Sequence, residues 1–314
     1  MNRSQHSAAR LFLMNPSTLR GMTFMLISAL FTSLTHLMIR HVSADIHAFE
    51  ISFFRCLFGL MFMLPLLVPY GLAALRTQHL GLHAMRSGLN VIGMWLVFAA
   101  LAFTPLAKVA ALDFSSPLFA SALAFLFLGE RLRARRLAAL ATGFFGTWVI
   151  FRPGVAELDV GAALVVLASA MWGGVVAMIK VLARTESTIT ITLYLGLFMT
   201  PMALIPALFV WQTPSLEQLG WLLLVGAFGT LNQLFVAQAL KEADVTAVMP
   251  MDFTRLIWSA IFGYMFYAEI SDVWTWLGAV LIFSSTTYIA FRERALRSAA
   301  EHAASGSSKP ASTA

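Results

Sequence analysis

Residues 239–270 read ALKEADVTAVMPMDFTRLIWSAIFGYMFYAEI, and this stretch decides how the rest of the chain is interpreted. The pattern is typical of a membrane-spanning helix interrupted at Pro250, with Asp252 and Arg255 well inside apolar sequence. Residues three apart are neighbours on a helix, so we expect these opposite charges to meet on one face. A charge at such depth is costly in lipid, and the pair is therefore predicted to face the bundle interior or a wet cavity.

A second stretch, residues 100–131, is similar to the first. Its sequence, ALAFTPLAKVAALDFSSPLFASALAFLFLGER, aligns at an offset of 139 residues, and seven of the 32 aligned positions are identical. The offset places Asp113 on Asp252 and Glu130 on Glu269, while Pro117 lies nearby as the breaker of the earlier helix. The two stretches therefore suggest a duplicated unit.

The composition is that of an integral membrane protein. Of the 314 residues, 59% are hydrophobic and 11% are charged, whereas soluble domains contain about 25% charged residues. Cys56 is the only cysteine, which excludes an intrachain disulfide and a thiolate metal site. The N-terminal region has only the short apolar run 11–14 between arginines, so we predict a cytoplasmic tail and no cleaved signal.

Apolar segments of about the length that crosses a bilayer recur along the chain. We predict an all-α integral membrane protein with ten transmembrane helices, at 21–39, 49–68, 86–104, 108–128, 137–151, 160–179, 188–210, 218–239, 246–267 and 273–291. Residues 1–20 and 292–314 are predicted to be cytoplasmic tails. The second tail is polar and rich in Ala and Ser, and we expect it to be disordered.

The basic residues predict the orientation, because cytoplasmic loops carry an excess of Lys and Arg. With the N-terminus inside, sixteen of the 21 Lys and Arg fall on the cytoplasmic side. The pI of about 9.9 is thus explained by the membrane topology, and the basic charge gives no reason to expect a nucleic-acid partner. Both termini are predicted to be cytoplasmic.

The helix count indicates how the two repeats are oriented relative to each other. Five helices per half is an odd number, so the second half must enter the membrane in the opposite orientation. We therefore predict two inverted repeats, 21–151 and 160–291, with Asp113 in the fourth helix and Asp252 in the ninth. Inverted repeats are common in secondary transporters, where the substrate site lies near the midplane between the halves.

Polar residues inside the spans supply the candidate site. A stripe on helix one comprises Ser28, Thr32, Thr35 and His36. It serves either hydrogen bonding between helices or, through His36, a substrate or proton-linked role. Arg55 either extends to the outer interface or pairs with a carboxylate such as Asp113, and its apolar neighbours favour the pair. An inward Arg also suits an anionic substrate group.

Further candidates are amides, tryptophans and prolines: Asn90, Trp95, Trp172, Asn232, Gln233, Gln238 and the two hinges, Pro117 and Pro250. The amides either tie helices together or line a pocket. Trp172, among small residues, either packs or stacks on a planar ligand. For Asp252 and Arg255 the alternatives are fixing helix packing and lining a translocation path, and the freed carbonyl near Pro250 favours the path.

The sequence gives no sign of enzyme chemistry. It contains no phosphate-binding loop for ATP-driven transport and no H-E-x-x-H metalloprotease motif. Residues 194–197, YLGL, lack the Asp of an intramembrane aspartyl protease. We therefore predict no enzyme, no cofactor and no bound metal. The expected partners are a small-molecule substrate and the lipid bilayer, with the protein a monomer or a homodimer.

Short motifs in a fixed order give the chain its resemblance to a known family. They are residues 47–50 (HAFE), 53–55 (FFR), 115–119 (SSPLF), 129–130 (GE), 243–246 (ADVT), Pro250 and 268–269 (AE). From about residue 20 to 292, the chain resembles the EamA-type ten-helix carriers of the drug/metabolite transporter superfamily. The HxFE…FFR opening looks most like the branch of S-adenosylmethionine and riboflavin uptake carriers. The resemblance implies a bacterial inner-membrane carrier that uses a gradient or exchange.

The leading hypothesis is a secondary carrier of a small polar metabolite, zwitterionic or planar, that works by alternating access. Its substrate would be similar to S-adenosylmethionine, riboflavin or an amino acid. The alternative is a receptor or scaffold that transports nothing and whose buried charges only fix helix packing. A channel is disfavoured because no ring-forming motif is present.

Overall fold

The computed structural model describes residues 16–67, 77–128, 134–151, 159–182, 185–186, 188–243 and 245–307. Within these ranges all regular structure is helical. The helices are α1 (Pro16–Val42), α2 (Ala48–Leu67), α3 (Leu80–Leu101), α4 (Leu106–Asp113), α5 (Ser116–Leu128), α6 (Ala134–Phe151), α7 (Val160–Leu182), α8 (Thr188–Phe209), α9 (Leu216–Glu242), α10 (Val245–Asp252), α11 (Thr254–Tyr267) and α12 (Val273–Ser307).

Each predicted span falls on one helix or on a pair of consecutive helices, α4 with α5 and α10 with α11. By length and apolar composition, six helical stretches in the described ranges can cross a membrane, and three more are apolar but shorter. Large apolar side chains on the outside of the bundle, such as Ile205, Leu208 and Met265, are exposed, as expected for a lipid-facing surface. The protein is a multi-pass membrane protein, and the count of ten spans stays a prediction.

Both paired spans are interrupted directly after an aspartate. Helix α4 ends at Asp113 and α10 ends at Asp252, the positions matched by the 139-residue offset. In each case a phenylalanine, Phe114 or Phe253, follows outside the helix. The duplicated sequence therefore produces two helix breaks of the same kind.

The second interruption lies three residues beyond the predicted one. Pro250 is inside α10, and the chain leaves the helix only at Phe253. Proline removes one helical hydrogen bond, which weakens this short helix without ending it. The Thr254 hydroxyl then donates to the Met251 carbonyl at 2.7 Å, so the break leaves this carbonyl with a partner. In the first half, Pro117 is the second residue of α5, near the helix start where proline is tolerated.

Helix contacts follow the same pattern in both halves. Helix α1 packs against α9, and its counterpart α7 packs against α3. Helix α1 also contacts α10 and α11, as α7 contacts α4 and α5. The remaining counterparts contact each other, α2 with α8 and α6 with α12. These main contacts are therefore equivalent when the two halves are exchanged.

Glycines allow α6 and α12 to approach closely. A Cβ added at Gly278 would lie 2.6 Å from the Gly146 carbonyl oxygen, and one added at Gly146 would lie 2.8 Å from the Gly278 oxygen. The Ser285 hydroxyl donates to the Ala139 carbonyl across the same pair. Small residues and hydroxyl bonds of this kind hold helices together where lipid supplies no hydrophobic drive.

The last helix is longer than its predicted span. Helix α12 continues to Ser307 and so includes most of the segment that the sequence predicted to be disordered. Residues 292–307 are rich in Ala, Arg and Glu, which have high helix propensity, and this explains the extension. Residues 308–314, like residues 1–15 of the N-terminal tail, lie outside the described part of the chain.

Candidate functional site

A cavity of about 330 Å³ lies where helices of both halves meet. This volume is within the range of small-molecule sites, about 300–1,000 Å³. Nine of the predicted site residues line it: His36, Arg55, Asn90, Asp113, Trp172, Asn232, Gln233, Asp252 and Arg255. The hydroxyl stripe of α1 lines it as well, through Ser28, Thr32 and Thr35. Residues of eight helices thus converge on one chamber.

Two predicted site residues do not line this cavity. Trp95 packs edge-to-face on Phe49 with ring centroids 5.1 Å apart, which joins α3 to α2. Gln238 donates to Glu242 at 3.0 Å, one turn further along α9. The Trp95 side chain packs and the Gln238 side chain forms a local hydrogen bond. Helical periodicity alone does not distinguish such a position from one that lines a pocket.

The main ion pair of the cavity joins the two halves of the chain. Arg255 Nη1 lies 2.7 Å from Asp113 Oδ2, and both side chains are buried. The predicted pair of Arg55 with Asp113 is therefore wrong. The contact of Arg255 with Asp252 is only 3.9 Å, because the break at Phe253 separates these residues onto two helices.

Aromatic rings surround this ion pair. The Arg255 guanidinium lies over the Phe114 ring at 4.5 Å, a cation–π geometry. Phe114 in turn contacts Phe253, with ring centroids 5.2 Å apart. The two phenylalanines that follow the two helix breaks thus pack on each other beside the charges.

Hydroxyl groups of α1 hold the second half in place. Ser33 donates to the Arg255 carbonyl at 3.0 Å, and its oxygen lies 3.2 Å from that of Ser259. Ser28 donates to Asn232 Oδ1 at 2.5 Å. Ser28 and Asn232 therefore tie helices together and also line the cavity, so both interpretations of Asn232 hold.

Three buried polar atoms in the cavity wall have no hydrogen-bond partner among the described residues. They are His36 Nδ1, Asp113 Oδ1 and Arg255 Nε. Unpaired polar atoms in a low-dielectric interior are costly, so a polar solute or water is expected to contact them.

Arg55 is positioned by a glycine on the neighbouring helix. A Cβ added at Gly229 would lie 3.3 Å from Arg55 Nε and 3.4 Å from Nη2, so the guanidinium packs closely on this glycine. Arg55, Gly229 and Gln233 also border a second, mostly apolar cavity of about 80 Å³ between α2, α8 and α9. Arg55 therefore lines both cavities.

Trp172 is held in a similar way. A Cβ added at Gly93 would lie 2.8 Å from its indole nitrogen and 3.2 Å from Cδ1. The ring thus packs closely on α3 while it lines the cavity. One face of the site is an aromatic surface fixed by helix packing.

An ionic cluster at helix ends was not found from the sequence. Arg40 pairs with Glu269 at 2.7 Å, lies 4.7 Å from the centre of the Tyr267 ring, and donates to the Thr104 carbonyl at 2.5 Å. Glu269 also accepts from the Leu106 backbone N–H at 2.9 Å. The cluster joins the end of α1 to the links before α4 and after α11. The repeat identifies Glu269 in the sequence, but only packing identifies its partner.

Two further polar ties lie at helix ends. Lys108 contacts Asp159 at 2.5 Å, and Ala162 N–H donates to the same carboxylate. Burial alone would raise the pKa of Asp159, but these hydrogen bonds hold it below its usual value. Burial would likewise raise the pKa of Glu186, but the hydrogen bonds from Thr77 and His83 outweigh this effect and lower that pKa.

Known proteins of similar sequence are transporters. A riboflavin transporter of Brucella anthropi is 35% identical over 245 residues, 76% of this chain and 86% of that protein. An S-adenosylmethionine uptake transporter of Rickettsia prowazekii is 29% identical over 276 residues, 88% of this chain and 94% of that protein. A pseudopaline exporter of Pseudomonas aeruginosa is 27% identical over 267 residues, 83% and 93% of the two chains.

A solved crystal structure shares the fold, with a TM-score of 0.58, 15% identity, and coverage of 89% of this chain and 98% of that chain. The EamA-like transporter family matches this sequence twice, at residues 19–152 and at residues 159–291. The two matches fall on the two sets of helices whose contacts are interchangeable, and this confirms the family resemblance of the sequence motifs. The chain therefore belongs to the EamA-like transporter family.

Proposed function

We propose that this protein is a secondary transporter that carries a small polar metabolite across the bacterial inner membrane by alternating access. The observation that carries the proposal is the cavity itself, which lies between the two halves and contains the Arg255–Asp113 ion pair. An ion pair between two halves that move relative to each other can be broken and remade as the cavity opens to either side.

The proposal includes ten membrane spans in two inverted repeats, with both termini in the cytoplasm. The exchangeable helix contacts and the two breaks after Asp113 and Asp252 support this arrangement. Broken helices near the midplane are common in secondary transporters, because freed backbone groups there line the substrate path. The transition would then be a rocking of one half against the other around the cavity.

The relatives support a small polar substrate. Their names include uptake carriers for riboflavin and S-adenosylmethionine and an exporter of pseudopaline. We propose that this chain carries a solute of the same size and polarity, and that an ion gradient or exchange drives it.

Asp252→Asn tests this mechanism in proteoliposomes loaded for counterflow. We expect uptake to be lost while the protein still folds, since Arg255 keeps its 2.7 Å partner Asp113. Asp45→Asn, which changes an exposed acid outside the cavity, is the matched control and should transport normally. Normal uptake by Asp252→Asn would remove this carboxylate from the transport path.

The same assay separates a carrier from a receptor or scaffold. A carrier shows saturable counterflow with at least one metabolite of the riboflavin and S-adenosylmethionine classes. A scaffold shows none, although its buried charges would still stabilise the fold.

A further inference from the structure

We infer that Glu269 forms an outer lock through its contacts with Arg40 and with the Leu106 backbone, and that release of this lock opens the cavity to the outside. This inference rests on the proposed function, because it assumes alternating access and the proposed topology. It goes further by assigning the closure of the outer face to one carboxylate that does not itself line the cavity.

The cavity is closed toward the outer ends of the helices that line it. In the proposed topology, the lining residues nearest the outer ends of α1 and α3 are His36 and Phe98, and both side chains are buried. Gln233 also lines the cavity, from the inner part of α9, and it is exposed. A solute from outside therefore has to separate the segments that lie beyond His36 and Phe98 before it reaches the cavity.

Glu269 joins three of these outer segments. Arg40 lies one helical turn beyond His36 on α1, and its Nη2 is 2.7 Å from Glu269 Oε1. The other carboxylate oxygen accepts the Leu106 backbone N–H at 2.9 Å, at the start of α4. Glu269 itself follows the end of α11. One carboxylate thus holds the outer ends of α1, α4 and α11 together.

The same three helices line the cavity. Helix α1 does so through its polar stripe, α4 through Asp113 and α11 through Arg255. Arg40 and Leu106 belong to the first family match and Glu269 to the second, so the outer lock connects the two halves. The Arg40 and Glu269 side chains are only 16% and 11% exposed, so salt and water screen this pair less than a surface pair.

The link between α3 and α4 is fixed on its other side. A Cβ added at Gly161 would overlap the Thr104 hydroxyl, so this link packs directly on the start of α7. Lys108 pairs with Asp159 at 2.5 Å, which attaches α4 to the same helix start. We therefore expect the link to move together with α7. The contacts that have to break when the outer face opens are then those of the outer lock.

Gly263 offers a way to displace the carboxylate without removing its charge. A Cβ added at Gly263 would lie 2.6 Å from Glu269 Oε2, the oxygen that accepts the Leu106 N–H. This oxygen is at the end of a flexible side chain, so the carboxylate moves and α11 keeps its course. Alanine also favours the helix more than glycine does. Gly263→Ala should therefore weaken the outer lock while every charge stays in place.

A different carboxylate joins the two halves at the inner face. Glu186 accepts a hydrogen bond from the Thr77 hydroxyl and lies 3.4 Å from His83 Nε2. Thr77 and His83 belong to the first family match and Glu186 to the second. In alternating access, contacts on one face compete with contacts on the other. Loss of the Glu186 contacts should therefore favour the state that is closed outside.

The test measures how fast a cysteine in the cavity reacts from outside. Val97→Cys, at a cavity-lining position, is placed in a Cys56→Ala background and labelled in intact cells with a small impermeant methanethiosulfonate. We expect Glu269→Gln to raise the labelling rate about ten- to a hundredfold, the change in an equilibrium constant when one charge-assisted hydrogen bond is lost. Gly263→Ala should raise the rate as well, and Glu186→Gln should lower it.

The matched control is Glu217→Gln, which removes an exposed acid near the outer end of α9 and should leave the labelling rate unchanged. If Glu269→Gln lowers the folded fraction, Gly263→Ala carries the test, because it keeps the ionic groups and a good helix former.

Two results overturn the inference and leave the proposed function standing. One is an unchanged labelling rate in folded Gly263→Ala and Glu269→Gln. The other is an equal rise in Glu269→Gln and Glu186→Gln, which would show a general loosening of the protein. The proposed function fails by a separate measurement, the absence of saturable counterflow by the folded wild-type protein.

Discussion

At the scale of single residues, one guanidinium lies between two carboxylates that the duplication made equivalent. Asp113 and Asp252 occupy matching positions, yet Arg255 has no counterpart, because Ser116 stands at the matching position of the first half. Arg255 therefore pairs closely with only one of them, at 2.7 Å against 3.9 Å. The asymmetry of a single residue thus makes Asp113 the closer of the two partners of Arg255.

Ala268 gives a prediction at the same scale. Its φ is 51°, the only positive value among the non-glycine residues of the described chain. A residue with a Cβ in this left-handed conformation loses about 1 kcal/mol, which glycine does not. We expect Ala268→Gly to raise the thermal unfolding temperature in detergent by a few degrees.

Glu269, the next residue, pairs with Arg40 at 2.7 Å, and this contact has to survive in the variant. Ala203→Gly, at a buried position within α8, is the control and should lower the unfolding temperature, since glycine weakens helices. A lower unfolding temperature for Ala268→Gly would contradict the strain argument.

At the scale of helices, two pairs of equivalent helices differ in what they do. The broken helices α4 and α10 end at the cavity and place their charges there, whereas α6 and α12 pack on each other. Glycines at the crossing of α6 and α12 replace side-chain interdigitation with backbone contact. The first pair lines the cavity and the second pair joins the two halves of the bundle.

Gly278→Ala tests the second contact. The new methyl group would lie 2.6 Å from the Gly146 carbonyl oxygen and would also meet Ile150, so α12 must move away from α6. Overpacking of this kind costs about 1–3 kcal/mol. We expect a lower unfolding temperature and a smaller folded fraction in size-exclusion chromatography.

Gly220→Ala on α9 serves as the matched control, since open space surrounds it and the same change should leave stability intact or improved. Equal stability of the two variants would show that α6 and α12 can separate at no cost.

At the scale of the whole molecule, the number of crossings decides whether the two halves are inverted. Residue Gln78 precedes α3 and Thr213 follows α8, and five predicted spans lie between them. An odd number of crossings places these two positions on opposite faces of the membrane.

Cysteine labelling in intact cells shows on which face of the membrane each of these two positions lies. Cys56 is buried and is the only native cysteine, so the wild-type protein is the unlabelled control. With an impermeant maleimide, we expect Thr213→Cys to react and Gln78→Cys to react only after the membrane is opened. Labelling of both variants in intact cells would contradict the inverted arrangement.

The sequence alone determined the membrane class, the approximate positions of the helices and the matching positions of the two aspartates. These features depend on local properties, such as apolar length and the matching positions of Asp113 and Asp252, that can be read along the chain. Nine of the residues that line the cavity were also predicted in this way, because a polar residue in an apolar membrane helix is expected to face the bundle interior or a cavity.

Only the tertiary structure decided which charge pairs with which. Arg255 bonds Asp113, 142 positions away, and Arg40 bonds Glu269 across the two halves, because helix packing brings distant positions together. Arg55 lines the cavity for the same reason, packed against Gly229 of another helix. Partner choice depends on distances between helices, and periodicity along one helix contains no information about them.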